Sequence, residues 1–198
     1  MKKKVLAVDC CIREGESRTK KIFDAFLEAL PDNCDTEYLK LYEENLSPLT
    51  GPYFRARQKL LEEGRLDHPR FRYARQFASA DLIVIAAPFW DLSFPALLKI
   101  YIEQLCVDGI TFKSVHGGLK GICRANDLVY ITSRGGNYTG SPLEMGSCYL
   151  EAMSVFFGID NYHLVSADGT DMSSVDNETL IREKSAEAAA LAESIGGK

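Results

Sequence analysis

The 198 residues carry 23 lysines and arginines against 28 aspartates and glutamates, a formal charge of −5 that offers no overall attraction to nucleic acid or an anionic membrane. With 46% hydrophobic and 26% charged residues, the composition is that of an ordinary soluble globular chain, and 1–198 reads as a single domain with one sizeable core. No apolar run approaches the roughly 18–20 residues that would cross a bilayer. In chain order, Val5 to Val8 follows a basic head and precedes Asp9. Four apolar residues fall short of the about 7–15 in a signal-peptide core, so the segment predicts a buried first strand. A polar loop follows, then a helix with Ile22, Phe23, Phe26, Leu27 and Leu30 on one face and Pro31 as its stop.

Thr36 to Leu41 alternates as a second, peripheral strand, and 53–80 predicts one or two polar helices broken near Gly64 and Pro69. Leu82 to Ala87 is a continuous apolar run, the pattern of a parallel strand covered on both faces, and Pro88 ends it. Ser93 ahead of Phe94-Pro95 predicts a capped helix over 94–106. Leu128 to Thr132 is the next buried strand. Ser141-Pro142-Leu143-Glu144 has the form of a capping box and predicts a helix running to Phe157, closed by Gly158. Tyr162 to Ser166 makes a fifth strand, and 176–196 a last helix rich in Ala and Glu. Strands alternating with helices imply right-handed crossovers and an α/β three-layer sandwich on a parallel sheet.

The six cysteines include one vicinal pair, Cys10-Cys11, and no zinc spacing, so they read as reduced thiols of a cytoplasmic protein that holds no metal. The histidines are scattered: His68, His116 and His163 each read as structural, with His116 the one that could line a substrate side. Seven basic residues against three acids over 53–76 read as a solvated helix face, with a grip on a nucleotide phosphate as the lesser reading.

Ligands of such sheets sit beyond the carboxyl ends of the strands, which singles out the loops 9–19, 88–93 and 133–140. The first ends in Ser17-Arg18-Thr19 at a helix start, where free N–H groups and the helix dipole favour an anion; Ser17 as a plain cap explains it equally. It lacks both the triphosphate and the dinucleotide glycine patterns, which favours a monophosphate. The second loop holds the chain's one tryptophan, Trp90, beside Phe89 and Phe94, aromatics that cover core surface or flank a flat ring. The third contains Gly135-Gly136, which lets backbone approach a ligand closely or makes a turn.

Together these stretches resemble the FMN-dependent NAD(P)H:quinone reductases and azoreductases of the flavodoxin-like fold. The resemblance rests on 5–27, Asp81 to Asp91, Pro95 to Lys99 leading into Gly109 to Phe112, and Ile131 to Gly136. It implies the flavodoxin strand order 2-1-3-4-5, tightly bound FMN, NADH or NADPH as co-substrate, and ping-pong transfer to a quinone-like or azo-like small molecule in a homodimer. It also implies that no side chain is itself catalytic, because the flavin N5 carries the chemistry. By position, the phosphate contacts fall on Cys11, Ser17, Arg18 and Thr19. The flavin contacts fall on Pro88, Phe89, Trp90, Asp91, Leu92, Ser133, Arg134, Gly135 and Gly136. Phe112, His116 and Tyr138 are substrate-side candidates, Tyr138 reading first as a surface tyrosine and Phe112 lying within a loop at 109–120 that partly roofs a partner's site.

Two departures from the pattern stand out. Cys10 and Cys11 replace hydroxyl residues, and a thiol is a poor donor to phosphate. Asp91 replaces an asparagine; beside the ring its carboxylate would lower the flavin's potential, whereas turned outward it would cap the next helix. Two rival functions share the fold: an electron carrier like flavodoxin, which uses a Thr/Ser-Gly-rich phosphate loop absent here, and a relative that has lost its flavin and serves as a binding module.

Overall fold

The computed structural model describes residues 2–197 of the chain. Among these, β1 (Lys3–Asp9), β2 (Cys34–Lys40) and β3 (Leu82–Ala86) are joined by two later strands, β6 (Asp127–Ser133) and β7 (Asn161–Ala167), in one parallel sheet of order β2-β1-β3-β6-β7. Counted along the sheet alone this is the order 2-1-3-4-5 that the resemblance implied. The helices are α1 (Arg18–Glu28), α2 (Gly51–Glu62), α3 (Arg72–Ser79), α4 (Ala96–Leu105), α5 (Met145–Phe157) and α6 (Asn177–Gly196). None of the described helices is long and apolar enough to cross a membrane.

Strand periodicity sorts the core into two layers. Val5, Ala7, Leu82, Val84, Ala86, Val129, Ile131 and Val165 point to one face and pack on Ile22, Phe23 and Phe26 of α1 and on Ala188, Ala192 and Ile195 of α6. Their sequence neighbours Leu6, Val8, Ile83, Ile85, Leu128 and Tyr130 point to the other, under Phe77 of α3, Leu98, Tyr101 and Ile102 of α4, and Leu150 and Phe157 of α5. Each fully buried aliphatic or aromatic side chain contributes about 1.5–3 kcal/mol. That is why the strands of the middle of the sheet read as unbroken apolar runs.

The structure corrects the sequence in four places. First, α4 starts at Ala96, two residues late, with Pro95 at its cap and no side-chain cap, so Ser93 does not start it. Second, α5 starts at Met145, after the predicted box. Ser141 Oγ accepts the Leu143 N–H at 3.2 Å in a local turn, and Glu144 is the true cap, accepting the Ser147 N–H at 2.8 Å. Third, 109–120 is not a plain loop. It contains an antiparallel hairpin of β4 (Phe112–Val115) and β5 (Gly118–Gly121), closed at His116-Gly117, where Gly117 takes φ +89°. The root of this hairpin lies against the end of α5: a Cβ on Gly121 would stand 2.0 Å from the Gly158 nitrogen, and Gly158 itself has φ +78°. Only two glycines allow that backbone crossing.

Fourth, the basic stretch 53–76 is not simply a solvated face. Arg57 is buried and donates to the Cys106 carbonyl, Arg70 lies 4.1 Å over the Tyr53 ring, and Arg75 donates to the carbonyls of Leu66 and His68. The first ties α2 to the end of α4, and the others fold the 53–76 segment onto itself.

Candidate functional site

A cavity of about 270 Å³ lies at the carboxyl ends of β1, β3 and β6. Its first wall is the turn from β1 into α1. Asp9 is fully buried, accepting the Cys11 N–H at 2.8 Å and the Tyr38 hydroxyl, and so bends the chain away from the sheet. Cys10 enters the α4-side core, where burial and then the charge of Asp9 push its thiol up to about 12. The same two causes raise the Cys11 thiol further, and it sits 3.8 Å from the Ala86 carbonyl oxygen. Both are therefore neutral, packed thiols at physiological pH, and of the two only Cys11 reaches the cavity.

Ser17 caps α1 by accepting the Lys20 N–H at 3.2 Å, and it lines the cavity together with Arg18. The first N–H groups of α1 have no partner within the helix, so the dipole end faces this space. Thr19 behaves differently. Its hydroxyl turns inward, 2.8 Å from Ser133 Oγ, and accepts the Ser133 N–H at 3.0 Å, tying α1 to the end of β6.

The second wall is Pro88, Phe89 and Trp90. Asp91 and Leu92 stand outside the lining, both exposed, as the two central residues of a tight turn closed by Trp90 and Ser93. Their φ values of +49° and +67° make this turn left-handed at both positions. Aspartate tolerates that conformation, and it costs a leucine about 1–3 kcal/mol. With no side-chain cap on α4, Asp91 does not cap that helix.

The third wall is Ser133 and Gly135. Between them Arg134 turns away from the cavity and is 1% exposed, its guanidinium 3.1 Å from Glu144 Oε1, 3.4 Å from Asp168 Oδ1 and 5.5 Å from the Phe89 ring centre. Asp168 also accepts the Tyr138 and Thr139 N–H groups at 3.1 and 3.0 Å and the Thr139 hydroxyl at 2.8 Å. Burial opposes ionisation of Asp168, but the Thr139 hydroxyl, Arg134 and the two N–H donors outweigh it and hold the carboxyl below its ordinary range. Gly136 lies off the lining and leaves room for Tyr138, whose ring packs 4.7 Å from Phe89. Phe112 packs 4.9 Å from Phe156 in the last turn of α5, and His116 is exposed at the hairpin tip. Helix α5 runs back to the amino ends of the strands, so within one chain neither residue is brought to the cavity.

A fourth wall went unread in the sequence. Thr170 and Asp171 follow β7 and line the cavity. Backbone bonds from Gly169, Thr170 and Asp171 to the carbonyls of Gly136, Arg134 and Gly135, at 3.0, 2.9 and 3.0 Å, zip this loop onto the third wall. The signal was available: Asp168-Gly-Thr-Asp171 leaves a carboxyl strand end just as the other three loops do. Asp171 Oδ1 meets Arg18 at 2.9 Å across the cavity mouth.

A family model described as flavodoxin-like fold matches residues 3–192. The chain is 43% identical over 175 residues to FMN-dependent NADH:quinone oxidoreductase 2 of Clostridium acetobutylicum, covering 85% of this chain and 87% of the relative. It is 40% identical to the FMN-dependent NADH:quinone oxidoreductase of Clostridium perfringens, covering 96% and 98%. Among solved structures, an FMN-dependent NADH-azoreductase of Bacillus anthracis in complex with FMN is similar at TM-score 0.86 and 25% identity, covering 98% and 99%. An azoreductase of the same organism is similar at TM-score 0.83 and 29% identity, covering 98% and 100%.

Proposed function

The chain belongs to the flavodoxin-like fold family, and from that membership we propose that it is an oxidoreductase that binds FMN and passes two electrons from NADH or NADPH to quinone-like or azo-like acceptors. The observation that carries this reading is the two-ended character of one cavity. Ser17 and Arg18 at the start of α1 form an anion-holding end, Phe89 and Trp90 form an aromatic end, and Ser133 and Gly135 line the same cavity. Those residues fit a phosphate ester joined to a flat ring system.

FMN, when bound, supplies the hydride-accepting N5, so the chain needs no acid or base of its own. Ser17 and Arg18 would hold the phosphate by charge-assisted hydrogen bonds. Phe89 and Trp90 would pack on the ring system and exclude water from it. Tyr138, packed on Phe89, and the buried Arg134 set the position of that wall from behind rather than from the cavity itself. One cavity would serve donor and acceptor in turn, which is the arrangement a ping-pong reaction needs, and NADH, the donor in the relatives' names, is the donor we infer.

We further propose that one flavodoxin-like domain, 1–198, works as a cytoplasmic homodimer. Trp90, Leu92, Leu143 and Met145 are 40%, 39%, 51% and 54% exposed beside an apolar recess lined by Phe94, Met145, Cys148 and Tyr149, the kind of surface that a second chain covers. The β4–β5 hairpin, with Phe112 and His116 away from its own cavity, is then free to roof the partner's. The deciding experiment is an absorbance spectrum of the purified protein followed by stopped-flow reduction with NADH and NADPH. A flavin band bleached rapidly by either nucleotide supports the reading. A colourless protein that takes up no FMN, or one reduced only through a separate reductase, refutes it.

A further inference from the structure

Both cavity-lining arginines already hold a carboxylate. Arg13 pairs with Glu16 at 3.3 Å, three residues away on the same turn. Arg18 pairs with Asp171, which comes from the far side of the cavity. The Asp171 backbone is fixed by its N–H bond to the Gly135 carbonyl, and its Oδ2 lies 2.4 Å from where a Cβ on Gly135 would stand. The missing side chain of Gly135 thus makes a notch that this carboxylate fills.

We propose that Asp171 is a resident anion that competes with the cofactor's phosphate for Arg18 and so sets how strongly the chain prefers a phosphorylated flavin to an unphosphorylated one. The inference rests on the FMN reading above and adds a specificity-determining residue to it. A phosphate arriving at the α1 start meets an arginine whose charge is already matched, and binds it only by displacing Asp171. The displacement is feasible because the pair is exposed, 40% at Arg18 and 74% at Asp171, and exposed pairs contribute little. Once displaced, the carboxylate still faces the phosphate with like charge.

The test is fluorescence titration of the full-length apo-protein with FMN and, separately, with riboflavin, for the wild type, Asp171→Asn, Arg18→Ala and the double variant. Asp171→Asn is expected to tighten FMN about fivefold, the equilibrium counterpart of one exposed ion pair, and to leave riboflavin unchanged. In the Arg18→Ala background the gain should disappear, as a direct competition for that arginine requires. Weaker FMN binding in Asp171→Asn, or equal shifts for FMN and riboflavin, overturns the proposal and makes Asp171 a loop-shaping residue. If no variant binds either flavin, the FMN reading fails, and thermal stabilisation by inorganic phosphate decides this inference separately. Greater stabilisation of Asp171→Asn than of the wild type supports competition at Arg18; equal stabilisation overturns it.

Discussion

Arg18 lines one wall of the cavity and Arg134 lies behind another, and the resemblance implied a cofactor contact for both, yet the fold uses them in contrary ways. Arg18 is 40% exposed and held by one exposed carboxylate. Arg134 is 1% exposed and held between Glu144 and Asp168. Breaking a buried pair leaves charges without water or partner and is costly, whereas an exposed pair exchanges water for protein at little net gain. The same residue type is therefore scaffold on one wall and an exchangeable contact on the other, and burial decides which.

That contrast is sharpest at Arg134. Arg134→Met keeps the bulk but strands two carboxylates, and should cost about 3–5 kcal/mol, a fall in melting temperature on the order of 10 °C. A wild-type melting curve for this variant would show that the network does not hold the wall.

Asp168→Asn comes next, at about 1.5–3 kcal/mol, because it removes a charged acceptor from four donors. The pH dependence follows from the direction of its shift. The folded pKa is depressed, so the stability Asp168 confers is complete above its unfolded value of about 3.9 and is lost as pH falls through the folded value. Urea midpoints should drop steeply below about pH 4 in the wild type and more gently in Asp168→Asn; parallel curves would assign the acid transition to other groups.

On the exposed wall the effects shrink. Ser17→Ala removes the α1 cap, about 1 kcal/mol, and weakens FMN about tenfold through the lost phosphate bond, read by chemical denaturation and flavin titration. Unchanged flavin retention would move the phosphate elsewhere. Pairing it with Thr19→Ala would confuse the result, since the Thr19 hydroxyl ties α1 to Ser133. Arg18→Ala should be the smallest, within about 0.5 kcal/mol of wild-type stability. A larger loss in urea would mean that the Arg18–Asp171 pair is structural and erase the difference between the two walls.

Much of the scaffold was legible because burial writes itself into period and run length: Val5 to Val8 and Leu128 to Thr132 proved to lie in strands of the sheet, as did all of Leu82 to Ala87 but its last residue. Strand order came from the resemblance, since periodicity carries no neighbour information. Helix starts were misplaced where a motif had two competing uses, as at Ser141, whose hydroxyl closes a local turn while Glu144 caps the helix. The short β4–β5 hairpin escaped because four-residue exposed strands bury too little to show a pattern. At the site, the expected loops meet at one cavity, but not every expected residue lines it. Thr19, Asp91, Leu92, Arg134 and Gly136 all lie in the expected loops and off the lining: Thr19 and Arg134 through partners far along the chain, Asp91 and Leu92 through the local turn that Trp90 and Ser93 close, and Gly136 beside the Tyr138 ring. The loop holding Asp171 was legible by its place after the last strand, but its pairing with Arg18, 153 positions away, was not.

The crossing of Gly121 and Gly158 gives the β4–β5 hairpin a bolted base and a free end. Its root admits no side chain without moving backbone, while His116 and Gly117 at the tip touch little. Such a mount separates heritable variation into two kinds: change at the base is filtered by stability, and change at the tip is filtered only by whatever the tip meets. A short Gly-Ser insertion between His116 and Gly117 should leave the melting temperature of the chain within a few degrees of wild type, whereas Gly121→Ala should lower it clearly, and the reverse ranking would show that the hairpin is anchored at its tip.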